Sequence, residues 1–441
     1  MLPESSQSNA LSRQPLELSQ ELSYALDRLE HSKGPLFISG RAGTGKSTSL
    51  QLFRSTSRKR IAVVAPTGVA ALNVRGQTIH SFFRFPPRLL SPADIKPAKN
   101  KRLYKNLEIL VVDEISMVRA DLFDNMDYSL RINRGINQPF GGVRIIVFGD
   151  LFQLPPVIAN PFERKYLSEK YKTPYFFSSI AYKSVMHQME TIELLTVYRQ
   201  SERHFINILD QIRSKSIDWD DLADLNERVT EEEDIQYGSI TLTSRNDTAN
   251  MINRERLSEL QDEALAFHAV IRGQFDAKVY PTDATLYLKR GAQVMTLKND
   301  GQRRFVNGSI GHIVDIDIDH IILEIENEKE ELKQIELEKE VWEMIRYKWD
   351  ESKKSVEAEV VGSFEQFPLK LAWAMTIHKS QGKTFDKVFI DMAGGAFEYG
   401  QTYVALSRCK TLQGVQLRRP LTPKDIMVDE RIIDFYNYWR R

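Results

Sequence analysis

Short apolar runs recur along the first half of the chain, and a stretch with helical spacing follows each one. PLFISG leads into a helix from Lys46, IAVVAP into a helix at Val69–Leu72, and EILVVDE into a helix at Asp121–Ile132; VRIIVFGD closes the series. Runs this short and this apolar are strands buried on both faces, and their alternation with helices predicts a parallel sheet covered on both sides. A second series begins after Arg199, with SITLTS, a helix at Asp247–Leu260, AQVMTL, LKLAWAMTIH and KVFIDM. The pattern therefore predicts an α/β fold of two domains in tandem, over residues 18–195 and 196–441, after a polar, disordered lead at 1–17.

Two segments break the alternation. Phe85–Lys105 carries Pro86, Pro87, Pro92 and Pro97 with a basic cluster, Lys99, Lys101, Arg102 and Lys105. A small protrusion from the first domain, at about 84–106, is expected there. Residues 313–365 instead alternate with period two (HIILEIENE, LKQIELEKEVW), which predicts antiparallel hairpins inserted in the second domain.

Composition narrows the classes. A chain of 441 residues exceeds one ordinary domain. No apolar run is long enough to span a membrane, so no membrane partner is expected. A single cysteine, Cys409, excludes an internal disulfide framework and fits a reducing, cytoplasmic setting. The eight histidines show no metal-ligand spacing. Sixty basic and sixty acidic residues cancel, so any nucleic acid must be held in a local groove rather than by a global field.

Chemistry enters with GRAGTGKST, Gly40–Thr48, set between a strand and a helix. This is the phosphate-loop pattern in the context it requires. Glycines let the loop wrap, and backbone N–H groups at the helix start face phosphates, so Gly40, Ala42, Gly43, Thr44, Gly45 and Thr48 are candidate ATP-binding residues. Lys46 would reach the β- and γ-phosphates and Ser47 would ligate Mg2+. ILVVDEIS ends a strand in Asp113 and Glu114. Asp113 would hold the Mg2+ and Glu114 would orient or deprotonate the attacking water. In VFGDLFQLPPV the next strand ends at Gly149–Asp150, and a lone polar Gln153 precedes two prolines. Gln153 is either a turn residue bonded to backbone or a group that reaches the γ-phosphate; in the second case Pro155 and Pro156 make a stiff link to a second ligand.

GRAGTGKST, APTGVAA, GQTIHSFF, VVDEISM, QPFGGVRIIVFGDLFQLPPV, TVYRQ, LAWAMTIHKSQGKTF and YVALSR follow one another as in superfamily 1 helicases. The segment Asp124–Val157 resembles the signature of the Pif-one (petite integration frequency) family, bacterial or phage type. RecD-like and Dda helicases are related. The resemblance implies two tandem RecA-like P-loop domains, a wedge protrusion in the first and an SH3-like β-rich insertion in the second. It implies ATP-driven 5′-to-3′ unwinding of DNA. It further implies that Arg199 and Arg408 reach the γ-phosphate as arginine fingers, that Gln20 bonds the adenine edge, and that Gly382 joins the nucleotide set.

The expected DNA track combines helix starts and small polar groups. Pro66, Thr67 and Gly68 precede one helix; Thr78, His80 and Ser81 offer phosphate contacts and Phe82 a ring for stacking. Leu154 and Pro155 extend the set, with Thr376, His378, Lys379 and Ser380 from the second domain. Such contacts carry little base information. The expected partners are single-stranded DNA and its junctions with duplex, bound by a monomer that dimerises at most on DNA. An RNA helicase and a P-loop switch that never translocates stand as alternatives.

Overall fold

The computed structural model describes residues 19–439 apart from 87, 159, 303, 327–330 and 393, so the polar lead lies outside the described residues. The first sheet has six parallel strands: β1 (Leu36–Gly40), β2 (Ile61–Ala65), β3 (Gln77–Thr78), β4 (Ile109–Val112), β5 (Arg144–Gly149) and β6 (Glu190–Leu194). Their order is β3-β2-β4-β5-β1-β6. Every residue of β1 and β4 is buried, as continuous apolar runs require. The order puts the ends of β4, β5 and β1 side by side, so the residues following these strands converge on one edge.

A second parallel sheet comprises Ala374–Thr376, Ile240–Thr243, Val388–Asp391 and Val415–Leu417, in that order. Two expectations change here. AQVMTL does not join this sheet, because Gln293–Thr296 pairs antiparallel with Ile310–Ile316 and Leu369–Leu371. LKLAWAMTIH divides between the two, Leu369–Leu371 in the antiparallel sheet and Ala374–Thr376 in the parallel one. Antiparallel pairing thus runs from Leu265 to Leu371, wider than the 313–365 read from periodicity.

The longest hairpin, Glu340–Asp350 with Ser355–Gln366, reaches the first sheet. Tyr347 is buried there; its hydroxyl accepts from Val63 N at 3.2 Å and its N–H donates to Gln77 Oε1 at 3.0 Å. Arg102, in the Pro-rich segment, pairs with Glu351 at 3.1 Å. Within that segment Leu90, Ile95 and Tyr104 anchor in the first core, while Lys99, Arg102 and Lys105 remain exposed.

The final helix, Glu430–Trp439, also crosses back. Ile432, Phe435, Tyr436 and Trp439 form one stripe at helical spacing. This stripe packs in the first core and not in the second, which moves the helix out of the unit its chain position suggested. Phe435 lies 6.2 Å from the Phe37 ring and 4.6 Å from the Phe177 ring, centre to centre. Phe435→Ala should cost about 3–5 kcal/mol in urea unfolding and speed amide exchange in β1. A loss confined to the second sheet would contradict this packing.

Candidate functional site

The phosphate loop starts where β1 ends and closes with the first turn of the helix Lys46–Thr56. Gly43 and Gly45 sit at φ +80° and +87°, a region that favours glycine. A Cβ on Gly43 would stand 2.5 Å from that of Arg199, so the loop and the YRQ stretch need a glycine between them. Lys46 Nζ donates to the carbonyls of Gly40 and Arg41, both at 2.7 Å. Burial pushes its pKa down. The second half of the chain also holds the loop: Arg41 pairs with Asp210 at 2.5 Å, and Ala42 N donates to the Tyr403 hydroxyl at 3.1 Å.

Asp113 and Glu114 follow β4. Glu114 adopts φ +50°, a left-handed conformation costing a non-glycine residue about 1–3 kcal/mol, which turns its side chain toward the loop. Burial raises the pKa of both carboxyls, and Glu114 adds to the rise at Asp113. Gln381 Nε2, from the second half, donates to Glu114 Oε2 at 3.1 Å and to Gln153 Oε1 at 3.2 Å. One amide thereby joins the carboxylate to Gln153. Gln381 lies beside Gly382 within a stretch the sequence singled out, but periodicity does not say which side chain there turns inward.

Gln153 is buried, and its Nε2 donates to Asp150 Oδ2 at 3.3 Å. It is thus bonded within its own turn and also faces the cavity beside the phosphate loop. The next residue, Leu154, is fully buried in the second core. The expected DNA contact of Leu154 is therefore corrected: its apolar side chain packs between the two halves and takes no solvent-borne ligand. Gly400 lies against the same turn; a Cβ there would come within 2.6 Å of the Gln153 carbonyl oxygen.

Arg199 and Arg408 come from the second half. Arg199 Nη1 donates to the Ser407 carbonyl at 3.0 Å. Arg408 is almost wholly buried, its Nε donating to the Val404 carbonyl at 2.8 Å and its Nη2 to Ser407 Oγ at 2.8 Å. Burial pushes the two guanidinium groups down to about 10 and about 9. A cavity of about 750 Å³ lies between the halves, lined by Ala42–Thr48, Glu114 and Gln153 from the first and by Arg199, Gly382, Thr384 and Arg408 from the second. Its walls present N–H groups, cations and one carboxylate, which suits a polyphosphate. Asp113 lies buried behind Glu114, while Ser47 and Thr48 are exposed at the helix start. Gln20 is exposed and does not line the cavity; Leu22, two residues on, does.

The expected DNA residues fall into separate groups. Thr67 Oγ1 accepts from Ala70 N at 3.2 Å, Thr78 Oγ1 from Ser81 N at 3.1 Å, and Thr376 Oγ1 from Lys379 N at 3.4 Å, so all three cap short helices. Pro66 and Gly68 are half-buried beside the first of these caps. Ser81 and Lys379 are exposed, and His80 is half-buried. His378 Nε2 meets Glu398 at 2.9 Å. Ser380 is buried and donates to the Ile377 carbonyl at 2.7 Å. The stacking role of Phe82 is corrected: its ring is buried among Phe83, Tyr104 and Tyr347, at 4.9, 5.6 and 6.0 Å. Beyond Pro155 and Pro156 the structure opens a second cleft of about 490 Å³. Exposed Val157, Phe397 and Tyr399 line it, with Arg164 and Lys172. The two prolines therefore separate the phosphate-loop cavity from a cleft with aromatic and cationic walls.

A family model described as PIF1-like helicase matches residues 18–221. The chain is 32% identical to the ATP-dependent DNA helicase Pif1 of Bdellovibrio bacteriovorus, over 96% of this chain and 92% of that protein. It is 34% identical to human ATP-dependent DNA helicase PIF1, over 92% of this chain, and spans 61% of the human protein's length. Among solved structures, a double mutant of the Pif1 helicase from Bacteroides superposes with a TM-score of 0.89 at 34% identity, over 97% of this chain and 98% of that one. Bacteroides sp. Pif1 with ADP-AlF4 gives 0.87 at 35% identity, and Bacteroides Pif1 bound to single-stranded DNA gives 0.68, each over 96% of this chain and 97% of the other.

The two carboxyl groups provide a pH test. A carboxyl raised by burial costs stability only when it must ionise. The cost is absent below the ordinary aspartate range, about pH 4, and grows as pH rises through the raised value. Asp113→Asn removes it, so the variant should melt above wild type at pH 8 and level with it near pH 4. Equal melting at both pH values would show that Asp113 ionises as freely in the folded chain as in the unfolded one.

Proposed function

The chain belongs to the PIF1-like helicase family, and we propose that within it the protein is an ATP-dependent DNA helicase that moves single-stranded DNA with 5′-to-3′ polarity. The observation that carries the reading is the cavity walled by both halves of the chain, with the phosphate loop and Glu114 opposite Arg408 and Gly382. A ligand held by both walls draws the two RecA-like domains together, and its cleavage weakens the grip.

In this reading Lys46 leaves the loop carbonyls and pairs with the β- and γ-phosphates. Ser47 and Asp113 offer hard oxygen ligands and fit Mg2+; the ion would neutralise phosphate charge. Glu114 takes the proton of the attacking water, or orients that water, and its raised pKa suits a base. Arg199 and Arg408 stabilise charge building on the γ-phosphate. Gln153 senses the phosphate, and its turn passes the change through Leu154 to the second domain. The DNA strand runs over the capped helix starts at Thr67, Thr78 and Thr376 and past the cleft at Val157 and Phe397. A solved relative 35% identical to this chain is described as two coordinating Pif1 helicases unwinding forked duplex DNA; for this chain we propose a monomer that pairs only on such a substrate.

Forks with a single 5′ or a single 3′ tail test the reading. Only the 5′-tailed fork should open, and only with ATP. Opening of the 3′-tailed fork alone would overturn the polarity, and opening of neither would overturn translocation. Glu114→Gln should bind ATP as wild type does and lose at least about a hundredfold in hydrolysis, as expected when a catalytic base is removed. Turnover close to wild type would place the base elsewhere.

A further inference from the structure

Behind the phosphate loop lies a buried cluster with no part in the scheme above. Asp150 follows β5, and its side chain is wholly out of solvent. Arg213, from the helix Arg203–Ser214, donates to Asp150 Oδ1 from Nη2 at 3.0 Å and from Nε at 3.3 Å. Its guanidinium lies 4.4 Å from the centre of the Phe152 ring and 5.8 Å from that of Tyr436. Tyr436, on the final helix, stacks on Phe152 with centres 5.1 Å apart and planes 10° apart. Its hydroxyl shares a hydrogen bond with Ser39 Oγ at 2.6 Å.

Each contact ends on the ATP machinery. Ser39 immediately precedes Gly40, the first residue of the phosphate loop. Phe152 immediately precedes Gln153. Asp150 accepts from the Gln153 side chain at 3.3 Å and from Phe152 N at 3.3 Å. A buried carboxylate is tolerated only when paired and hydrogen-bonded. Arginine meets that need with a planar group that also lies flat on a ring, a geometry lysine lacks. The cluster therefore fixes the Gln153 turn against the start of the phosphate loop, using one residue from the second domain and one from the end of the chain.

We propose that Arg213 and Tyr436 are positioning residues for ATP-driven unwinding, and that the final helix belongs to the apparatus that couples hydrolysis to strand movement. The proposal rests on the helicase reading above. If Arg213 and Tyr436 set the Gln153 turn, loosening either should impair how DNA stimulates hydrolysis while leaving nucleotide affinity alone.

Tyr436→Phe removes one hydroxyl and keeps the stacked ring, so the fold should survive. Arg213→Lys keeps the charge and loses the planar fork; Arg213→Met leaves Asp150 without its counter-charge. For Tyr436→Phe the KM for ATP should stay near wild type. DNA-stimulated kcat should fall about 3- to 10-fold, the range of one lost hydrogen bond, and fewer base pairs should open per ATP consumed. Arg213→Lys should fall in the same direction and Arg213→Met further, so that lysine partly rescues. Wild-type stimulation and wild-type base pairs per ATP in both Tyr436→Phe and Arg213→Lys would overturn the proposal. A raised KM with stimulation intact would also overturn it, since the cluster would then serve nucleotide binding alone. Failure of the wild-type chain to open a fork would sink the helicase reading itself, whereas variants matching an active wild type sink only this inference.

Discussion

Buried charge at the seam between the two parallel sheets governs the rest of the structure. Lys46, Arg199 and Arg408 are all held below their ordinary pKa by burial, and Asp113 and Glu114 are held above theirs. Both signs are penalised; an anionic ligand would satisfy the cations, and a divalent cation beside it the carboxyls. Two unit charges 4 Å apart interact by about 4 kcal/mol at an effective dielectric near 20. A neutral hydrogen bond contributes about 1 kcal/mol. A polyphosphate touching Lys46 from one domain and Arg408 from the other therefore outweighs the Gln381 amide that joins Glu114 to Gln153. In the proposed cycle, charge outweighs the amide bonds in drawing the two walls together, and the amide bonds add direction.

Much of this was legible because the chemistry is local in sequence. The phosphate loop, Asp113–Glu114 and Gln153 each sit just past an apolar run, and the sheet order brings those ends together. What escaped depends on which neighbour a residue meets. β6 and Val415–Leu417 flank their sheets; the second is only three residues long and β6 carries Glu190 and Glu193, so neither stands out as an apolar run. Gln293–Thr296 is as fully buried as a parallel strand but pairs antiparallel. For Phe82, burial of the side chain stabilises by about 1.5–3 kcal/mol, close to the 1–3 kcal/mol or so of stacking on a base. Sequence alone could not rank the two. Phe83, Phe85, Tyr104 and the distant Tyr347 supply the packing that decides for burial.

The final helix shows the same limit at larger scale. Its stripe Ile432–Phe435–Tyr436–Trp439 is readable as an amphipathic face, but a stripe does not name the sheet it will cover. Chain order favours the second sheet. The first wins because Phe37, Phe176 and Phe177 offer an aromatic surface that takes Phe435 at 4.6–6.3 Å, and because Tyr182 accepts from Trp439 Nε1 at 3.1 Å. The chain ends by fastening its second half onto its first.

That fastening also holds the Gln153 turn on both sides. One side of it is stacked under Tyr436 and held by Arg213. The next residue, Leu154, is buried in the other domain's core. Gly400 admits the turn so closely that a Cβ would strike its carbonyl. Pro155 and Pro156 then fix φ where a flexible residue would absorb a displacement. A segment pinned by packing at both ends and stiff in between cannot dissipate a small shift at Gln153 by local rearrangement. Close-packed interiors transmit strain, so in the proposed coupling a shift at Gln153 would be passed to the second domain or to the cleft walls at Val157 and Phe397.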